Sequence, residues 1–213
     1  MIKKICLLFS LVALTFSAMA QDKSADEYKN EGNEFVRNKR FQQALESYQQ
    51  ALKLWGDSVD QQTVFNAGIC AEKTKDLDLA ISYLTQCKEA GFKEPDAAYR
   101  IALLLKKQKK TDEYKTAVEA GYETYKNGKT GNLFKKELAK IYRDEAMGIF
   151  NEGADVTKQM QSASGAKLDE LKAQAKAKFS EAMTAIDKSL EINPDDANAK
   201  TVKQNIEKQI AAF

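Results

Sequence analysis

Small residues recur along this chain at a nearly fixed interval. Gly32, Gly68, Ala102 and Ala139 stand 36, 34 and 37 residues apart, each inside an apolar pattern of helical spacing. A second series keeps step, with Ala44, Ala80 and Tyr114 each twelve residues beyond a member of the first. Self-similarity at this period marks a stacked array of supersecondary units, and two helical segments per period make each unit a helix-turn-helix. On the second helix of the first unit, Phe41, Ala44, Leu45, Tyr48, Ala51, Leu52 and Trp55 follow the 3,4 spacing of a single face. One hairpin cannot bury such a stripe alone, so several must stack. The small residues then mark where antiparallel helices approach most closely. Glycine is accepted there despite a helix penalty of about 1 kcal/mol.

Composition narrows the class further. Only 10 Gly and 2 Pro are present, too few turn formers for a β-sandwich, which leaves an all-α chain. With 43% apolar and 30% charged residues it is neither a disordered tail nor a polytopic membrane protein. Histidine is absent, which removes Ser/His/Asp and Cys/His triads and His-ligated zinc. Without a Gly-rich phosphate loop or a nucleophile elbow either, no enzyme and no cofactor is expected.

The N-terminus reads as a leader. Lys3 and Lys4 precede an apolar run from Ile5 to Phe16, and Ser17-Ala18-Met19-Ala20 ends in the small-x-small pattern of a cleavage site. Twelve apolar residues make roughly 18 Å of helix against a hydrocarbon core of ~30 Å, too short for an anchor. Cleavage after Ala20 and export to periplasm or exterior are therefore expected. Loss of the two leader lysines leaves 31 basic against 31 acidic side chains, a balance that argues against nucleic acid as partner. Two cysteines survive, Cys70 and Cys87, too few for a four-cysteine metal site. With the hairpin turn near residues 75 to 76, Cys70 lies opposite about residue 81. Cys87 is then about 9 Å further along, beyond the ~7 Å Cα separation of a disulfide, so both thiols are expected free and buried.

The pattern resembles the tetratricopeptide repeat (TPR) family, whose first helix carries a large residue, Leu-Gly and Tyr and whose second carries Ala, Phe and Pro. Residues 25–58 match at Tyr28, Gly32, Phe35, Ala44, Tyr48 and Ala51, with Glu31 where Leu is usual and Gly56 where Pro is usual. Residues 61–95 match at Val64, Ala67, Gly68, Ala71, Ala80 and Leu84. In residues 95–128 the match is Ala102, Leu105, Val118 and Gly121, with Tyr114 replacing the second-helix alanine. A fourth unit over 132–194 separates Ala139 from Ala182 by 43 residues, so both of its helices are elongated and project about 23 Å. Its return segment, Lys172 to Lys178, has few large apolar groups and is expected to pack weakly. Residues 197–212, with Val202, Ile206 and Ile210, form a capping helix. The resemblance thus implies a TPR-type α-solenoid of antiparallel helix pairs spanning residues 21–213.

Such arrays bind extended peptides in a groove lined by their first helices. There Lys29, Asn33, Asn66 and Arg100 resemble four of the five places of a carboxylate clamp for a peptide C-terminus. Asp96 stands where the fifth would be lysine, and ordinary groove-lining polarity is the other reading of the set. Among other clusters, Lys106 to Lys110 reads as a solvated turn and Asp195-Asp196 as a helix cap. The expected function is non-catalytic: an exported scaffold or adaptor for a protein or peptide segment. The alternative is a structural protein that self-associates through its long fourth hairpin.

Overall fold

The computed structural model describes residues 23–213, so the leader and its cleavage site lie outside it. Nine α-helices follow in order: α1 (Ala25–Arg37), α2 (Phe41–Trp55), α3 (Gln61–Lys73), α4 (Leu77–Glu89), α5 (Glu94–Lys107), α6 (Thr111–Thr124), α7 (Gly128–Gln159), α8 (Gly165–Ile192) and α9 (Ala197–Ile210). No strand occurs among the described residues. Each helix packs on the next, giving four antiparallel pairs and a closing helix, an all-α solenoid.

The turns inside the first three pairs repeat one device. Lys39, Lys75 and Lys109 adopt left-handed backbone at φ 58°, 68° and 61°. The following amide then reaches back over the helix end: Arg40 N to Phe35 O at 2.8 Å, Asp76 N to Ala71 O at 3.0 Å and Lys110 N to Leu105 O at 3.1 Å. This double-bonded C-terminal turn usually carries glycine, as it does at Gly91 between α4 and α5. The lysine run from Lys106 to Lys110 is accordingly not a solvated turn throughout. Lys109 makes the turn, whereas Lys106 ion-pairs with Glu137 at 3.0 Å and Lys107 with Glu72.

The small residues sit at helix contacts. Ala44, Ala80, Ala102 and Ala139 have no exposed surface. A methyl on Gly32 would lie 2.6 Å from Tyr48 Cε1, and one on Gly68 would lie 3.2 Å from Leu84 Cγ. Two of the three departures noted in the sequence have local causes. Tyr114 keeps its ring buried while its hydroxyl donates to Glu137 of the next pair, a bond that also ties α6 to α7. Glu31 lies on the first pair, with no described helix before it, and accepts bonds from Ser47 and Lys23.

The fourth pair is much longer than the others, at 32 and 28 residues. Gly32, Gly68 and Ala102 are each followed by five helical residues, Ala139 by twenty. The fifteen extra residues carry α7 about 23 Å further at 1.5 Å per residue. Within the return segment Lys172 to Lys178 only Ala175 is buried, flanked by the buried Leu171 and Phe179 at the α7–α8 contact, so the segment itself is held by one small side chain. Small size lets the helices close: a methyl on Gly153 would lie 2.9 Å from the Phe179 ring. Asp196 caps α9 by accepting from Asn198 N and Ala199 N, and it also pairs with Arg143 at 2.8 Å. Ala199 and Ile206 close the last apolar face. Cys70 and Cys87 are buried free thiols, both pushed up to about 11 by burial.

Candidate functional site

The first helices of the pairs, α1, α3, α5 and α7, carry all four residues read as a clamp. The structure unites the two amides through a tyrosine. Tyr48 on α2 donates its hydroxyl to Asn33 Oδ1 at 2.8 Å. Burial pushes that phenol up to about 12, and the nearby Asn66 amide pulls the other way, which puts Asn66 beside the same hydroxyl. Asn66 Oδ1 in turn accepts from Gln62 Nε2 at 2.8 Å, and Gln62 Oε1 accepts from Lys93 Nζ at 3.0 Å. Asn33 and Tyr48 form one bonded pair and Asn66, Gln62 and Lys93 a second bonded run beside it, on α1, α2, α3 and the start of α5.

The two cations of the set are held elsewhere. Lys29 pairs with Asp60, the N-cap of α3, at 2.9 Å and lies over Trp55 at 5.7 Å. Burial opposes ionisation of Asp60, but Lys29, Thr63 and the Gln62 amide outweigh it and hold its carboxyl below the usual value. Arg100 pairs with Glu72 at 3.1 Å, a carboxylate that Lys107 also occupies. Asp96 accepts from Thr130 Oγ1 at 2.9 Å. Lys29 and Arg100 are thus each tied to an acid of a neighbouring pair, and no bond joins them to the two amides.

Further along, an open recess of about 430 Å³ lies between α3, α5 and α7, lined by Phe65, Asp96, Tyr99, Arg100, Leu103 and Leu133 with Lys93, Lys129 and Thr130. Lys93 Nζ sits 4.7 Å from the Phe65 ring centre and Arg100 Cζ 5.9 Å. Of these, sequence reasoning singled out Asp96 and Arg100 but missed Phe65, Lys93 and Lys129. Phe65 directly precedes Asn66, so the same helical register would have found it. Lys93 and Lys129 belong to the starts of α5 and α7, where a repeat pattern says nothing. A second recess, about 570 Å³, opens between α6, α7 and α8 and is rimmed by Glu119, Glu123 and Glu191 with Lys188. The two openings have opposite charge. Among the described residues no group of three or more potential metal ligands occurs, and no helix is long and apolar enough to cross a membrane.

No family model matches the chain, and neither does any curated protein at a significant level. Solved structures do. A TPR repeats protein from Bacteroides fragilis NCTC 9343 aligns over 88% of this chain and 99% of its own, at 20% identity and a TM-score of 0.59. A candidate protein-binding protein from Bacteroides ovatus ATCC 8483 aligns over 89% of this chain and 99% of its own, at 13% identity and a TM-score of 0.51. At these identities the likeness is one of fold: the described helices form a TPR-like α-solenoid.

Proposed function

We propose that the protein is an exported, non-catalytic scaffold that seats a peptide or protein segment on the face made by α1, α3, α5 and α7. The recess between α3, α5 and α7 carries this reading, because it combines apolar walls with cations on rigid helices. Ligand sites pair preformed apolar walls with placed polar groups, and this recess sets Phe65, Tyr99, Leu103 and Leu133 beside three cations. The Bacteroides ovatus neighbour is itself a candidate protein-binding protein. The leader-like residues 1 to 20 support export. Of the clamp set, Asn33 and Asn66 already meet at Tyr48, whereas a ligand carboxylate would have to displace Asp60 from Lys29 and Glu72 from Arg100.

Site-specific photo-crosslinking tests the reading. A benzophenone side chain at Leu103, in the recess, should trap a discrete partner in the exported fraction, and one at Glu123, on the opposite opening, should not. Equal crosslinking from both positions would sink the groove assignment. A crosslink from Lys176 on the long hairpin to a second copy would favour self-assembly instead.

A further inference from the structure

We infer that the recess between α3, α5 and α7 selects an acidic, apolar internal peptide segment, gripped through its side chains and not through a C-terminal carboxylate; this rests on the groove reading above. Three cations line the recess, Lys93, Arg100 and Lys129, against the single carboxylate of Asp96. Their charge is poorly compensated by the protein itself. Lys93 has only the neutral Gln62 amide as a hydrogen-bond partner, Lys129 makes no ion pair among the described residues, and Arg100 shares Glu72 with Lys107. Phe65, Tyr99, Leu103 and Leu133 supply walls of lower polarity, against which an opposite charge is less screened than in open water.

The position of the lysines adds to this. Lys93 is the N-cap residue of α5 and Lys129 lies in the first turn of α7, the positive ends of two helices where anions are favoured. Neither helix has a side-chain cap; the first turn of α7 contains no acid, whereas that of α5 already carries Glu94 and Asp96. Lys93 is also held in place, lying 4.7 Å from the Phe65 ring centre and 5.3 Å from that of Phe92, so less of its freedom is lost on binding. Asp96 repels a carboxylate set beside it, which directs ligand acids to Lys93 and Lys129 and leaves the apolar side chains to Phe65, Leu103 and Leu133. The clamp residues Lys29, Asn33 and Asn66 take no part, being outside the recess and bonded within the protein.

The test uses two decapeptides, each acetylated and amidated, with Leu and Phe interleaved with Glu in one and with Lys in the other. Fluorescence anisotropy against the full chain should show the Glu peptide binding at least tenfold more tightly, with the preference shrinking at 0.5 M salt. Lys93→Glu and Lys129→Glu should each weaken it fivefold or more, and Lys29→Ala should leave it within twofold, all with unchanged helicity. Lys93→Gln and Lys129→Gln serve if charge reversal disturbs folding. Equal binding of the Lys peptide overturns the inference, as does binding of neither peptide. So does a tenfold gain from a free C-terminus that Lys29→Ala abolishes, since that would assign recognition to the clamp. Leu103 crosslinking is independent of all these outcomes, so the groove reading survives or fails separately.

Discussion

The close approach of α1 and α2 gives the most direct energetic test of the packing. Gly32 faces the Tyr48 ring so tightly that an added Cβ would stand 2.6 Å from Cε1 and 2.7 Å from Cδ1. The ring cannot retreat, because Tyr48 is fully buried and its hydroxyl is fixed on Asn33. Alanine at Gly32 therefore carries two opposed terms: a helix-propensity gain of about 1 kcal/mol and an overpacking cost of roughly 1 to 3 kcal/mol. The net is a loss of about 0 to 2 kcal/mol. Gly148 is the built-in control, since it lies mid-helix in α7, is exposed and has nothing within 4 Å of where an added methyl would stand. There only the propensity term applies, so Gly148→Ala should stabilise by about 1 kcal/mol, or ~2–4 °C in a chain of this size. Urea and thermal unfolding followed by circular dichroism would measure both variants. If Gly32→Ala gains as much as Gly148→Ala, the helix contact is looser than described and the reasoning about small residues fails.

Three further outcomes are expected. Tyr114→Phe removes the hydroxyl that donates to Glu137 and should cost about 1–2 kcal/mol at pH 7. Although burial opposes ionisation of Glu137, the Tyr114 and Lys106 bonds hold its folded pKa below the ordinary value. The contribution is therefore fully present above the unfolded pKa and is lost as pH falls through the folded one, so urea midpoints of variant and wild type should converge in acid. Lys75→Gly relieves a left-handed lysine at φ 68°. The relief of about 1 kcal/mol is offset in part by glycine's freedom in the unfolded chain, so melting should rise by one to a few degrees, roughly, and a fall would refute it. With Cys70 and Cys87 buried and their thiols pushed up to about 11, Ellman's reagent should find neither in the native protein. On protein lacking residues 1 to 20 it should find two after denaturation without reductant.

The helix pairs were legible because close approach leaves a mark in the chain itself. Only a small residue fits where Gly32 meets Tyr48 or Gly68 meets Leu84, and the period of those residues is the period of the fold. The long hairpin was legible for the same reason, since Ala139 and Ala182 keep their roles while the distance between them grows. The close approach of Gly153 to Phe179 was not, because nothing in the period of the small residues sets Gly153 opposite that ring. Tyr114 looked like a flaw in the third unit and is a tie to the fourth.

The candidate site shows the limit of reading along one helix at a time. Lys29, Asn33, Asn66 and Arg100 were found as first-helix positions, which is a statement about direction and not about partners. Their bonds depend on the offset between successive pairs. That offset brings Asp60 to Lys29, Glu72 to Arg100 and the α2 residue Tyr48 between the two asparagines. The same offset sets Lys93 over Phe65 and leaves Lys129 in the same recess without an ion pair, so the charge on this face is decided between units and not within them. Of the clamp cations, Lys29 is paired with Asp60 and Arg100 has only a share of Glu72, while the cations without an ion pair stand at the starts of α5 and α7. Anion recognition on this scaffold is therefore displaced along the groove from the place where a repeat-by-repeat reading puts it.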